Sequence, residues 1–261
     1  MRCLAPWIFL APLWLLFSGC DELLDEDGSP RLSDSTIVSG LKEALQVGTD
    51  TAVSQLNRSN GYLRDQAVRI LLPEDVRQAT QYVDQTLGDN PLARQAASVF
   101  IEDFDGLTSQ LETQINRAAE SAAGTAGPIF TDAILDIGIA EGRNILFAGQ
   151  DTAAATMYLR RETYPRLFDA YQPKVDSVLG VLNINRLYTD LTTSYNDLKN
   201  AVQPFGLAAN APNIETDLAT YTTENGLNGL FLKVEEEEKT IRKDPLARVN
   251  DLLREVFGEL D

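Results

Sequence analysis

Ser39 and Lys42 stand three residues apart in Ser39-Gly40-Leu41-Lys42, the spacing at which a lysine can take the proton of a nucleophilic serine. Ser194-Tyr195-Asn196 and Lys239-Thr240-Ile241 echo the later motifs of that enzyme class, but the second lacks its glycine and falls in a helical run where the chemistry needs a strand. The plain reading is stronger, because a serine and a lysine at this spacing arise readily by chance in 261 residues. Asp103, Asp105, Gly106 and Glu112 match part of a calcium-binding EF-hand loop, yet its first position is Ile101, which has no ligating atom. Phe100, Phe104, Leu107 and Leu111 carry a helical apolar stripe straight through this stretch, so its acids read as the outer face of a helix. Neither a catalytic residue nor a metal ligand is assigned, and no cofactor is expected.

Two constellations are candidates for binding. Arg117 and Glu120 are three apart and can pair on one helix face, with Asn116 beside them. On a surface such a pair contributes about 0.2–0.5 kcal/mol; buried in a bundle, the three become a polar lock or an anion site. Tyr158, Arg160 and Arg161, with Tyr164, form the one local basic and aromatic cluster in an acidic chain. The two arginines fall near an expected helix C-terminus, where the helix dipole favours cations; the alternative is contact with an acidic ligand or partner. Glu235 with Lys239 and Glu238 with Arg242 are i,i+4 pairs in the favoured order and read as a solvated helix face.

Absences narrow the chemistry further. The chain has no histidine and two cysteines, Cys3 and Cys20. That excludes a zinc site of the usual kind, a haem-ligating histidine and every Ser-His or Cys-His arrangement, leaving Asp, Glu, Lys, Tyr, Ser and Thr for any catalysis. A formal net charge of −17 repels nucleic acid. The chain carries no P-loop, G-x-G-x-x-G, G-x-S-x-G or nucleic-acid module.

Met1-Arg2 leads an apolar run from Cys3 to Phe17 that ends in Phe17-Ser18-Gly19-Cys20. The run is too short, and too interrupted by Pro6 and Pro12, to span a bilayer, and small residues before a cysteine mark a bacterial lipoprotein signal. Residues 1–19 are therefore expected to be cleaved, with Cys20 as the lipidated first residue of the mature chain. Acyl chains contributing about 0.8 kcal/mol per buried CH₂ make a lasting membrane anchor. Residues 20–34 open with five acids between Asp21 and Asp27, followed by Gly28-Ser29-Pro30, and read as a flexible acidic tether. Cleavage removes Arg2 and no acid, so anionic headgroups become still less favourable and attachment falls to the acyl chains. The expected location is the cell envelope, facing the periplasm. Asp21, next to the lipidated cysteine, tilts the choice toward the inner membrane, with the outer membrane left open.

Residues 35–261 read as a single all-α domain, a multi-helix bundle around one long central helix. Ile37, Leu41, Ala44, Leu45, Ala52 and Leu56 give the first helix its buried face, and Asn60-Gly61 stops it. Residues 62–72 are the most strand-like part, either a short ribbon or an extended run into Pro73. Pro73, Pro91, Pro128, Pro165 and Pro245 mark helix starts, and Gly88, Gly149 and Gly180 suit the residue just past a helix end. The longest helix is predicted over 91–123, roughly 45 Å at 1.5 Å per residue. Further helices are expected at 139–148, 152–163, 165–179, 184–201, 214–221, 223–243 and 246–257. Residues 203–213 form a loop long enough to cover a groove.

Several stretches in this order resemble one bacterial family, domain of unknown function 4197. They are Gly40-Leu41-Lys42-Glu43-Ala44-Leu45, Asn116-Arg117-Ala118-Ala119-Glu120, Pro128-Ile129-Phe130-Thr131-Asp132-Ala133-Ile134, Ala154-Ala155-Thr156-Met157-Tyr158, and Gly229-Leu230-Phe231 followed by the charged run from Glu235 to Arg248. Ile115 and Leu159 stand where the family pattern has Met and Phe. The resemblance runs from about residue 36 to residue 258 and implies a helical domain, often behind an export signal, with no catalytic residues to carry over. The expected function is a lipid-anchored envelope protein that binds an envelope protein partner or an apolar small molecule. The alternatives are a small-molecule or lipid carrier, a hydrolase working with carboxylates or with Ser39 and Lys42, and a purely structural spacer. Two carboxyl groups about 5–10 Å apart in a groove would favour the hydrolase.

Overall fold

A computed structural model describes residues 32–148 and 153–258. Cys20, the signal, nearly all of the tether and Gly149 lie outside the described residues. From Asp34 onward the chain packs as one unit. Its helices are α1 (Asp34–Leu56), α2 (Glu74–Gly88), α3 (Pro91–Ala123), α4 (Ala126–Leu135), α5 (Ile139–Leu146), α6 (Ala154–Val181), α7 (Ile184–Val202), α8 (Leu218–Lys243) and α9 (Asp251–Gly258). Among the described residues there is no strand, and no helix is long and apolar enough to cross a membrane.

The helix predicted over 91–123 forms over those residues. Asn90 caps it by accepting the Ala93 N–H at 3.1 Å, and Pro91 occupies the first turn, where its missing N–H is not needed. Phe104, Leu111, Ile115, Ala118 and Ala122 bury one face, and α3 packs against α2, α6, α7 and α8 as the spine of the domain. Asp217 caps α8 through the N–H groups of Ala219 and Thr220.

Several boundaries differ from expectation. Pro165 does not start a helix. It and Pro173 lie inside α6, which runs unbroken through both predicted helices. Leu159, Thr163, Leu167, Tyr171, Val175 and Leu179 are buried at every fourth position across both prolines, while the prolines themselves are exposed. The carbonyls they leave unbonded can meet water on the outer face, and the packed inner face holds the helix together. The helices predicted at 214–221 and 223–243 are likewise one helix, α8, that starts at Leu218. Pro245 opens a single 3₁₀ turn, Pro245–Ala247, and α9 follows only at Asp251. Gly88 and Gly180 fall within the last turns of α2 and α6 instead of past them, and the left-handed residue after α6 is Asn183, with φ 54°. Residues 62–72 form no ribbon; the chain turns from Ser59 to Val68 and then runs extended into Pro73. The loop at 203–213 contains two 3₁₀ turns, lies on α7, and is held to α2 by the Tyr82 hydroxyl, which donates to the Leu207 carbonyl.

Close packing at the start of α1 makes a direct test of this arrangement. A Cβ on Gly40 would come within 2.5 Å of a Val256 methyl on α9, whereas one on Gly106, midway along α3, would meet nothing within 4 Å. Gly40→Ala is expected to destabilise the fold by about 1–3 kcal/mol through overpacking, and adding Val256→Ala should recover part of that loss. Gly106→Ala should stabilise by about 0.5–1 kcal/mol through helix propensity alone. Urea unfolding followed by circular dichroism measures all three.

Candidate functional site

Asn116, Arg117 and Glu120 come together on α3, and what they grip is backbone. One carboxylate oxygen of Glu120 accepts the N–H groups of Tyr62 and Leu63, each at 3.2 Å, and the other accepts from Arg117 at 2.7 Å. Arg117 donates onward to the Ser59 hydroxyl at 3.0 Å and the Asn60 side-chain carbonyl at 2.9 Å. The Asn116 amide accepts from the Ile70 N–H at 2.9 Å and donates to the Ile70 carbonyl at 2.7 Å, as a neighbouring strand would. Asn116 and Glu120 are buried, so the pair expected on a surface is the buried lock instead. Its function is to satisfy the polar groups of a segment, 57–73, that has no helix of its own.

The same segment plants Tyr62 in the core. Its hydroxyl donates to the Gly226 carbonyl at 2.7 Å and lies 3.0 Å from the Tyr171 hydroxyl, which reaches the Ala119 carbonyl at 3.0 Å. A Cβ on Gly226 would sit 2.9 Å from the Tyr171 ring, so this approach of α6 to α8 requires glycine. Burial pushes both phenols above their ordinary range.

A second buried lock was not anticipated. Glu238 and Arg242 are both 5% exposed, not on a solvated face; only Glu235 and Lys239 lie toward the surface. The Glu238 carboxylate accepts the N–H groups of Ala155 and Thr156, at 3.0 and 2.7 Å, and so caps the start of α6. Arg242 pairs with it at 2.9 Å and donates to the carbonyls of Ile145 and Leu146 at the end of α5. Acid meets a helix N-terminus and base meets a helix C-terminus, as the dipoles favour.

Tyr158, Arg160 and Arg161 lie near the beginning of α6, not near a helix C-terminus, so the dipole is not what holds the arginines. Arg161 stacks 5.3 Å from the Tyr158 ring and pairs with Glu162 at 2.8 Å and Glu141 at 3.3 Å. Arg160 covers the rings of Tyr164 and Phe231, 5.5 and 5.1 Å away, and donates to Asn228. Burial raises the Tyr158 phenol, and the neighbouring Glu162 and Glu141 raise it further. This surface group faces α5 and α8, whereas the α3 lock faces the 57–73 segment.

The hydrolase motifs do not assemble. Lys42 donates to the Leu135 carbonyl at 2.6 Å, and Ser39 is exposed. Asp103, Asp105, Gly106 and Glu112 lie along the unbroken α3, where Glu112 pairs with Arg69, and no metal-holding group of acids occurs among the described residues. An open groove of about 460 Å³ between α3 and α7 carries Glu102, Asp103, Asp190 and Asp197. All four are exposed, so burial, one of the two ways to keep a carboxylic general acid protonated, is missing there; the other is a like charge held close.

Sequence reasoning missed one surface feature. Gln55, Arg58, Asn60, Gly61, Arg64, Asp65 and Gln66 line a polar cleft of about 330 Å³ on the outer side of the segment that α3 holds. Asp65 is paired with Lys233 at 2.7 Å. Partial burial works to raise its carboxyl, but hydrogen bonds from Lys233 and the Ala67 N–H hold it below the ordinary range. Among the described residues, Arg58 and Arg64 have no ion pair and no side-chain hydrogen bond.

The profile of the family described as "Protein of unknown function (DUF4197)" matches residues 31–258 of the chain. The chain belongs to this family. No curated protein and no solved structure matches it. The two buried locks, on α3 and α8, both lie inside the matched region of this DUF4197 chain.

Two measurements probe these buried groups. Glu238→Ala leaves Arg242 without its carboxylate and is expected to cost about 3–5 kcal/mol in urea unfolding, whereas Glu235→Ala should stay within about 0.5 kcal/mol. Of the eight tyrosines, Tyr62, Tyr171 and Tyr195 should ionise only as the fold is lost. Because their folded pKa values are raised, the stability they contribute is fully present below the unfolded value near 10 and declines as pH rises above it. Absorbance at 295 nm, recorded with circular dichroism across an alkaline titration, should show that delayed fraction.

Proposed function

We propose that this protein is a lipid-anchored member of the bacterial envelope that binds a protein partner, and that the 57–73 segment is its recognition surface. The observation that carries this reading is the division of labour around that segment. Its inner side is held by Asn116, Arg117 and Glu120, and on its outer side Arg58 and Arg64 make no ion pair and no side-chain hydrogen bond in a chain of net charge −17. A loop fixed by a rigid scaffold, presenting two guanidinium groups that make no ion pair or side-chain hydrogen bond, with Arg58 acting on Asp65 only through space, suits recognition.

Catalysis and carriage have less support. Glu120, Glu238 and Arg242 are each engaged with backbone and with a charged partner on the same helix, and the gap that Glu238 and Arg242 border is too small to hold a substrate. That gap, otherwise lined by apolar side chains such as Leu41, Leu45, Val234, Ile241 and Phe257, measures about 10 Å³, room for no more than one water. The anchor follows from the Phe17-Ser18-Gly19-Cys20 signal, and the charge of the chain leaves membrane attachment to the acyl chains.

Crosslinking of the tagged protein in intact cells tests this. One dominant protein is expected to co-purify, to be lost when Arg58→Gln and Arg64→Gln are combined, and to diminish in a Cys20→Ser form exported behind a cleavable signal. Mass spectrometry of the N-terminal peptide should find acyl chains on Cys20. A crosslinking profile unchanged by the arginine substitutions would remove the segment as the recognition surface, and an unmodified Cys20 would remove the anchor.

A further inference from the structure

We infer that the end of the domain where α1 begins docks on the membrane leaflet that holds the acyl chains of Cys20; this rests on the lipid-anchor reading above. α1 starts at Asp34, which pairs with Arg143 on α5. α5 lies directly against α1, since a Cβ on Gly142 would come within 2.8 Å of Val38. On its other side α5 meets α6, where Glu141 pairs with Arg161.

Among the described residues, large apolar side chains gather exposed at this end. Leu135, Ile139 and Phe147 are exposed at intervals of four and eight along the end of α4 and the outer side of α5, with the Arg143 guanidinium 5.5 Å from the Phe147 ring. Met157, 62% exposed, lies next to Tyr158, which senses the charges of Asp136 and Glu141 on the same corner. Leu246, 92% exposed, and Val249 follow the end of α8, which Arg242 ties to the last carbonyls of α5. Among the described residues, these six make up half of the large apolar side chains that the domain exposes.

The length of chain leading to this end identifies the occupant. Residues 20–33, whatever their conformation, can span at most about 50 Å. The leaflet therefore stays within about 50 Å of the start of α1, close to these side chains. An apolar patch interspersed with arginines and acids suits shallow insertion among headgroups. The acidic charge of the chain, −17 before Arg2 leaves with residues 1–19 and one unit more negative after, sets the lipid class: zwitterionic headgroups accept this face, and anionic ones repel the domain.

The mature chain suits a direct experiment, because both tryptophans, Trp7 and Trp14, leave with residues 1–19 and Cys20 becomes the only cysteine. The chain from Cys20 onward is coupled through its thiol to a maleimide lipid in phosphatidylethanolamine and phosphatidylcholine vesicles containing brominated acyl chains. Met157→Trp supplies the probe. Val181→Trp, 78% exposed and 24 residues further along α6, roughly 36 Å away, supplies the control. Tryptophan at 157 is expected to be quenched at least about twofold and tryptophan at 181 unaffected, with the quenching lost in Ile139→Asp combined with Leu246→Asp and reduced by added phosphatidylglycerol. All of these positions are exposed, and circular dichroism confirms that the variants fold. Equal quenching at both positions, no quenching at 157, or protection of 157 by a second copy, seen as a dimer in light scattering, would overturn the inference. Chemical coupling supplies the anchor whatever the cell attaches to Cys20, so failure here is separate from failure of the lipid-anchor reading.

Discussion

Two buried carboxylates, Glu120 on α3 and Glu238 on α8, organise the places where the chain is not helical or where one helix gives way to the next. Each receives two backbone N–H groups from another segment and one arginine from its own helix. A buried carboxylate is costly unless such donors surround it. The same donors belong to peptide groups that would themselves be unsatisfied without an acceptor. Acid and backbone thus resolve each other's desolvation, and each segment is confined to the one position at which both are satisfied.

The rest of the domain is arranged around those two points. The Glu120 lock settles where Tyr62 enters the core, which fixes the contact with Tyr171 on α6 and requires glycine at position 226 on α8. The Glu238 lock brings the last turn of α5 and the first turn of α6 to the same side of α8, and with them the surface that carries Tyr158, Arg160 and Arg161. α1 links the two regions. It begins beside α5 and runs about 34 Å at 1.5 Å per residue to the 57–73 segment at its far end.

How much of this could be read beforehand depended on whether a local signal existed. α3 was legible over its whole length because Pro91 marks its start and one apolar stripe runs through it. α6 was read as two helices because Pro165 looks like a start, and only tertiary packing of the opposite face shows that the helix continues. Asn116, Arg117 and Glu120 stood out by type and spacing, but their partners lie 46 to 58 residues away, and no local pattern names them. Glu238 did carry a signal, since it falls on the buried stripe of Leu227, Leu230, Val234 and Ile241, where a solvated acid has no place. Residues 62–72 looked strand-like for a related reason: Ile70 does have both backbone groups paired, but with the Asn116 side chain instead of a second strand. Arg58 and Arg64 gave no warning, because the cleft they line exists only once α3 has folded the segment over.

The two phenols at the centre present three short contacts, to Gly226, to Ala119 and to each other, yet they carry only two hydroxyl hydrogens between them. At any instant one contact must lack its hydrogen. The carbonyls of Gly226 and Ala119 sit inside helices, where the residue four places on already supplies a donor, so either can forgo the phenol at small cost. The hydrogens can therefore exchange among three patterns while every heavy atom stays in place. A fully buried point of the domain retains positional entropy in its protons, an order–disorder degeneracy that a phenylalanine at either position would erase.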